Sequence, residues 1–480
     1  MCGIAGEINT ADGVSLEPWH HEMLGALKRR GPDEDGVWHD EAAVLLHARL
    51  AVVDIEHGKQ PMTAGEGDRE AVLVYNGELY NTEDIRRELL LEGERFFGHS
   101  DTEVLLKAYI RWGAECLSKF NGIFAFAVWE PARRRLFAAR DRMGVKPFFY
   151  AMRENSFIFG SELKALLKHP KVEPIIGRNG VGELLFIAPG RTPGCGVFKD
   201  VFELRPGQCA CLEDGQLKVS DYFSLLDREH TKNAKKTVED VRSLVTDAIR
   251  RQLVSDVPIG TFLSGGLDSS IISSIAANEL RERGERLKTF SVTYRDNSKY
   301  FKKSRFQPNS DEPYIKIMTE YLGSEHHEVV IDTDALADAL YEAVDARDLP
   351  GMADIDSSLL LFCREIKNHV TVALSGECAD EIFGGYPWYR DEKIRSSYGF
   401  PWAQSTLYRK TFLKKELAET LDGEAFVKTR YEGAIAEAPK RRGLGALESR
   451  MREMVYINMH WFMQTLLDRK DRMSMYSGLE

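Results

Sequence analysis

No apolar run in this 480-residue chain approaches the roughly 18 residues of a membrane span, and no basic-then-apolar leader opens it. Neither membrane insertion nor export is expected. No basic stretch offsets the net charge of −11, which argues against nucleic acid as a partner. The seven cysteines are odd in number and none falls in a CxxC pair or a zinc-like spacing. A reducing, cytoplasmic setting fits that usage better than a disulfide framework. No internal repeat is present, and the GxxxxGK[ST] phosphate loop is missing. What remains is an ordinary soluble composition, 43% apolar and 29% charged, long enough for two or three domains.

The patterning divides the chain. Up to about residue 210, short β-rich apolar runs recur: AVLVYN (71–76), IFAFAVW (123–129), RLFAAR (135–140), KPFFYA (146–151) and SFIFG (156–160). Helix-like stretches around 82–92 and 101–116 interrupt them, which predicts sheets packed face to face with helices outside. Residues 213–236 turn polar and lysine-rich and are expected to form a linker. Beyond it, apolar residues at helical spacing from Val238 to Ile249 lead into PIGTFL (258–263), a second helix pattern from Leu267 to Ile275, and LKTFSVTY (287–294). Alternating helices and strands predict a parallel α/β sheet. The expected division is a first domain over 1–212, a linker over 213–236 and a second domain over 237–480.

Candidate chemistry begins at MCGI. A structural thiol gains little at a chain end, which usually frays. With Met1 removed, Cys2 would carry a thiol beside a free α-amine, and that amine can take the thiol proton without a histidine. A small apolar filler is the competing reading. YNGEL (75–79) places Asn76 and Gly77 just after a strand, where a side-chain amide and a backbone N–H suit an oxyanion, or where they form a plain turn. Arg49, alone in the apolar LLHARLAVVD (45–54), suits a carboxylate clamp or a solvated strand face. Asp101 in GHSDTEVLL (98–106) serves equally as a helix cap or as a partner for a substrate ammonium.

Taken together, MCGI, RGPD (30–33), HARLAVVD, YNGELYN (75–81) and SDTE (100–103) resemble the N-terminal-nucleophile glutamine amidotransferases. DRMGVKPFFY (141–150) and GSELKALL (160–167) resemble their asparagine-synthetase branch. The resemblance implies an αββα sandwich of the N-terminal-nucleophile hydrolase type, in which Cys2 attacks the side-chain amide of L-glutamine and releases ammonia. It makes Asn76 and Gly77 the oxyanion hole. Arg49, Glu78 and Asp101 would hold the α-groups, with backbone of Val52 and Val53 lining the site.

In the second half, FLSGGLDSS (262–270) joins a strand to a helix. Two glycines allow close backbone approach to an anion, two serines add donors, and the helix end adds its dipole. A structural turn capped by Asp268 is the alternative. VTVALSGECADEIFGG (370–385) repeats the strand-to-loop design with acidic residues, where ligands gather at the carboxyl ends of parallel strands. These loops resemble those of ATP pyrophosphatases and the SGEGADE motif of asparagine synthetases, with Cys378 in place of the middle glycine. A glycine needing φ > 0 there would leave the cysteine strained. The resemblance implies ATP and Mg2+ as cofactors. Ser264, Gly265, Gly266 and Ser269 would bind the phosphates, Leu263, Val292, Ser375 and Gly376 the nucleotide, Asp268 and Asp380 the metal. Glu377 would act as the base. In LDRKDRMSMYSGLE (467–480), Arg472 would face the phosphates of the adenylate.

The expected activity is therefore ATP-dependent amidation of L-aspartate to L-asparagine through β-aspartyl-AMP, with AMP and pyrophosphate released. A different carboxylate acceptor is the alternative, since acceptor choice lies in pocket residues that no motif marks. Intact Cys2, Arg49 and Asn76 count against a β-lactam-forming relative with a dead first domain, and two complete sites against a mere binding protein. The Met-aromatic stripe of 451–467 reads as core packing, and 295–314 as a solvated surface excursion, with a mobile loop over the ATP site as the alternative. In the family the final segment continues into further helices, so the chain is expected to be a C-terminally truncated form whose 451–467 stripe has fewer partners. Oligomeric state is not legible, and a homodimer is left open.

Overall fold

The computed structural model describes residues 2–303 and 309–480. The first domain is built from two six-stranded antiparallel sheets. One has the order β10 (Phe202–Glu203), β8 (Phe149–Arg153), β9 (Ser156–Gly160), β1 (Gly3–Ile8), β3 (Ala43–Arg49), β2 (Glu34–His39). The other runs β12 (Gln216–Asp221), β11 (Gln208–Glu213), β7 (Arg135–Arg140), β6 (Gly122–Glu130), β5 (Ala71–Leu79), β4 (Met62–Ala64). Period-two alternation sorts the side chains. In β5, Val72 and Val74 join Ile4, Ala125 and Phe159 between the sheets, while Leu73 and Tyr75 face Leu105 and Val104 of the helix Asp101–Trp112. On the far side, Ala5 and Val44 meet Met23 and Leu24 of the helix Pro18–Ala26. Strands covered on both faces are apolar at nearly every position, hence the continuous runs in the sequence. The layers are α, β, β, α, as the resemblance implies.

The first domain extends further than expected. Residues 216–221 lie inside the span assigned to a linker, yet they pair with β11 from Gln208↔Asp221 to Glu213↔Gln216. As an edge strand β12 is largely exposed, so its QLKVSD sequence carries a linker's polarity.

The second domain holds a four-stranded parallel sheet, ordered β15 (Glu325–Ile331), β14 (Lys288–Tyr294), β13 (Ile259–Phe262), β16 (Val372–Leu374). Helices Leu267–Glu282 and Asp354–Lys367 flank it. Part of the 295–314 excursion, residues 304–308, lies outside the described residues. The Met-aromatic stripe is covered: Met454, Trp461, Phe462 and Leu466 are buried against Trp388, Tyr389, Phe400 and Tyr431. Among the described residues no helix is long and apolar enough to cross a membrane.

Candidate active site

At the first site, β1 begins directly after Cys2 and carries it to the rim of the sandwich, beside the end of β5. The Cys2 backbone nitrogen donates to Asn76 Oδ1 at 3.0 Å. That bond orients the amide so that Nδ2 is buried with no partner among the described residues. A buried donor without an acceptor is unfavourable unless a ligand completes it.

The second donor follows from strand parity. Only Ala71–Leu73 of β5 pair with β4. Beyond them, the Tyr75 N–H donates to Gln60 Oε1 at 2.6 Å and the Tyr75 carbonyl accepts from His47 Nε2 at 3.1 Å, both away from β6. Residues two apart turn their N–H groups to the same edge, so Gly77 also points its N–H outward. A side chain at Gly77 would place its Cβ 2.3 Å from the Ile123 carbonyl oxygen, so only glycine lets β5 lie this close to β6.

A small pocket around Cys2 is lined by Arg49, Val52, Val53, Gly77, Glu78 and Asp101. All the glutamine-site residues expected from the sequence thus meet at one place, with Asn76 bonded at its wall. Arg49 is held in advance: Nη1 donates to Glu34 Oε2 at 2.7 Å and to the Ile55 carbonyl at 2.9 Å, and Nη2 to the Asp54 carbonyl at 2.7 Å. Three of its five N–H groups are spent on orientation. Asp101 Oδ2 accepts from Tyr75 Oη at 2.8 Å and from the Leu79 N–H at 3.1 Å, and burial pushes its carboxyl up. Glu78 Oε1 is buried and unpartnered among the described residues. Burial, and after it the Glu480 carboxylate, push Glu78 up to about 8. Burial also pushes the Cys2 thiol up, against the pull of the Arg49 charge. Gln60, which accepts from the Tyr75 N–H, and Tyr75, which donates to Asp101, carry no signal in the sequence beyond the position of Tyr75 inside YNGEL.

At the second site, β13 and β16 are adjacent and parallel, so the loops at their carboxyl ends come together. Gly265 takes φ +75°, and a Cβ there would fall 2.6 Å from the Tyr314 Cβ. The turn is knitted by hydroxyls: Ser264 Oγ lies 3.0 Å from Ser269 Oγ, and the Gly266 N–H donates to Ser264 Oγ at 3.3 Å. The helix Leu267–Glu282 starts directly behind it. A Cβ on Gly376 would lie 3.0 Å from the Asp268 Cβ, so the two loops touch. Burial pushes Asp268 up; burial, then the charges of Asp268 and Glu377, push Asp380 up. Neither acid has an ion-pair partner among the described residues, and both are exposed. Cys378 takes φ +73°, the left-handed conformation foreseen for the glycine it replaces.

One expectation changes here. Arg472 does not face this site: it is 1% exposed and paired with Glu162 at 2.9 Å and Asp348 at 3.2 Å, between the domains. Leu263 puts its side chain into the core beside Ala276 and Leu280, which leaves only its backbone for a nucleotide. Val292 packs in part against Phe290 and Phe362. The basic groups that do reach the site are neighbours of Arg472. Arg469 Nη2 pairs with Glu377 Oε1 at 3.0 Å, and Lys470 Nζ lies 3.5 Å from the Phe262 ring centroid, its ammonium pushed down by burial.

A cavity of about 420 Å³ separates the domains. Its walls include Glu78, Ile123 and Val145 from the first domain and Ser375, Glu377 and Lys470 from the second. Glu78 borders both this cavity and the Cys2 pocket.

Comparison with known proteins follows the same division. A glutamine amidotransferase domain family matches residues 1–223, and the asparagine synthase family matches residues 240–480. The chain is 49% identical over 482 residues to glutamine-hydrolysing asparagine synthetase 3 of Bacillus subtilis, spanning 100% of this chain and 78% of that one. It is 36% identical over 400 residues to glutamine-hydrolysing asparagine synthetase 1 of the same organism, spanning 82% and 60%. A putative glutamine-hydrolysing asparagine synthetase 2 of Methanocaldococcus jannaschii is 34% identical over 413 residues, spanning 80% and 76%.

Proposed function

The chain belongs to the glutamine-hydrolysing asparagine synthetase family, and on that premise we propose that it amidates L-aspartate with ammonia taken from L-glutamine, using ATP. The observation that carries this reading is one interdomain cavity with Glu78 of the Cys2 pocket on one wall and Ser375, Glu377 and Cys378 of the loop after β16 on the other.

In the first half-reaction the Cys2 thiol gives its proton to its own α-amine, exposed once Met1 is removed, and the thiolate attacks the glutamine amide carbon. Asn76 Nδ2 and the Gly77 N–H hold the oxygen as it gains charge. The amide nitrogen takes the proton back and leaves as ammonia, and water then cleaves the thioester to glutamate. Arg49 holds the α-carboxylate, and Glu78 and Asp101 the α-ammonium, against backbone of Val52 and Val53.

In the second half-reaction an aspartate side-chain oxygen attacks the α-phosphorus of ATP and pyrophosphate leaves, giving β-aspartyl-AMP. Ser264, Gly265, Gly266 and Ser269 cradle the phosphates through N–H and hydroxyl groups. Ser375 and Gly376, with the Leu263 backbone and Val292, border the nucleotide. Asp268 and Asp380 would hold Mg2+, which supplies charge neutralisation on the phosphates. Ammonia crossing the cavity attacks the acyl carbon, AMP departs, and Glu377 takes the surplus proton. Free cysteines and small soluble substrates fit a cytoplasmic location.

The test compares aspartate with other carboxylic acids in a glutamine- and ATP-dependent assay of AMP release. Asparagine and AMP formed in equal amounts from aspartate support the reading. AMP release driven by another acid, with aspartate inert, would assign a different acceptor.

A further inference from the structure

Arg30 touches none of the groups assigned to glutamine above, yet it is bonded to the nucleophile's own residue. Its Nε donates to the Cys2 carbonyl at 3.0 Å. Its other edge is clamped from the second domain: Nη1 and Nη2 donate to the two Asp471 carboxylate oxygens at 2.7 and 3.1 Å. Nη1 also reaches Glu162 Oε1 at 3.2 Å, and Lys146 Nζ donates to Asp471 Oδ1 at 2.9 Å. The Arg30 and Asp471 side chains are 0% and 2% exposed. Asp471 comes from the helix Met463–Tyr476, Arg30 from the loop ahead of β2.

Cys2 lies next to a chain end, where backbone is held only by what grips it. The Asn76 amide holds its nitrogen and Arg30 holds its carbonyl. A guanidinium buried this deeply needs a counter-charge, and Glu162 is shared with Lys164 and Arg472. Burial opposes the charge of Asp471, but Arg30 and Lys146 outweigh it and hold its carboxyl below the ordinary aspartate range. Asp471 is thus the carboxylate that matches the Arg30 fork with two parallel bonds.

We infer that Asp471 is a positioning residue for the amide-hydrolysing site, acting from the second domain through Arg30 to fix the Cys2 backbone. The inference rests on the Cys2 chemistry proposed above and adds that the first domain does not complete its own site. A small misplacement of a nucleophile costs up to about 10²-fold in rate without touching the groups that hold substrate.

The test is glutamine hydrolysis, without ATP or aspartate, by the whole chain carrying Asp471→Asn, Asp471→Glu or, as a control, Asp348→Asn. Asp348 is an equally buried interdomain acid that pairs with Arg472 and Lys164 and not with Arg30. Asp471→Asn should lower kcat at least about tenfold, with KM for glutamine within about twofold of wild type. Asp471→Glu should recover part of the loss, and Asp348→Asn should stay within about twofold on both constants. Wild-type kcat in Asp471→Asn overturns the inference; so does an equal fall in Asp348→Asn with raised KM, which would mark general loosening of the interface. If Asp471→Asn does not fold, Arg30→Lys is read in the same way: its ammonium keeps the charge but cannot bond Cys2 and both Asp471 oxygens in the fork geometry. A kcat drop with unchanged KM supports the inference, and wild-type kcat overturns it. Absence of hydrolysis in the wild-type protein would instead sink the Cys2 reading itself.

Discussion

Asn76 accepts the hydrogen bond of the Cys2 backbone nitrogen through Oδ1, and its Nδ2 is a buried donor with no partner among the described residues. On the proposed reading, one side chain both places the nucleophile and meets the charge that its attack creates. Asn76→Ala removes both roles. Glutamine hydrolysis should fall by roughly 10²–10³-fold in kcat, the usual loss of an oxyanion donor, while synthesis from added ammonia continues. Parallel assays with glutamine and with ammonium chloride check this, and equal losses in both would place Asn76 outside the amide chemistry.

Glu78 carries a pH signature. Burial and the nearby Glu480 carboxylate push it up to about 8, whereas an unfolded glutamate titrates near ~4.3. The folded chain keeps a proton that the unfolded chain loses, so the Glu78 contribution to stability declines as pH rises from ~4.3 to about 8 and then levels. Glu78→Gln escapes this decline. Its denaturation midpoint should match wild type near pH 4 and exceed it at pH 8.5, and at pH 8.5, where the Glu78 carboxylate is ionised, KM for glutamine should rise at least about tenfold through loss of its charged bond to the ammonium. A constant difference across pH would refute the assignment.

Cys378 pays a conformational penalty at φ +73°. Cys378→Gly should stabilise the protein by about 1 kcal/mol, the left-handed strain of a side chain less the extra freedom glycine gives the unfolded state. Urea denaturation measures it. A lower midpoint in the variant would mean that packing of the half-buried thiol outweighs the strain.

Asp268 and Asp380 face each other from adjoining loops without a cation among the described side chains. Asp268→Asn or Asp380→Asn should raise the Mg2+ concentration needed for half-maximal ATP–pyrophosphate exchange by about tenfold or more. Hydrolysis of glutamine without ATP should be unaffected. An unchanged Mg2+ requirement in both variants would remove these residues from the metal site.

Much of this arrangement is legible in the sequence because its signals are local. Strands such as AVLVYN and IFAFAVW announce themselves by apolar, β-rich runs, and Cys2 stands directly ahead of β1. Asn76 and Gly77, expected just after a strand, lie inside β5 instead, because pairing with β6 carries that strand on to Leu79. The edge strand β12 is missed because one-sided pairing asks for no apolar sequence. Arg472 is misplaced for another reason. On one helix, Lys470 and Arg472 are about 200° apart, so nearly opposite faces, and nothing in RKDRMSM states which face meets the cavity. Arg30 stands in a motif that the sequence marks, but its partner is in the other domain and no spacing rule reaches that far.

The pairing of Arg30 with Asp471 spans 441 residues. At ordinary rates of synthesis, about 5–20 residues per second, some tens of seconds separate the emergence of one partner from that of the other. All the strands of the first domain's two sheets lie within residues 3–221, so they emerge long before then. The last clamp on the Cys2 carbonyl is thus also the latest to form. A chain still on the ribosome would hold a folded but loosely anchored thiol, and full capacity to release ammonia would arrive only together with the domain that consumes it.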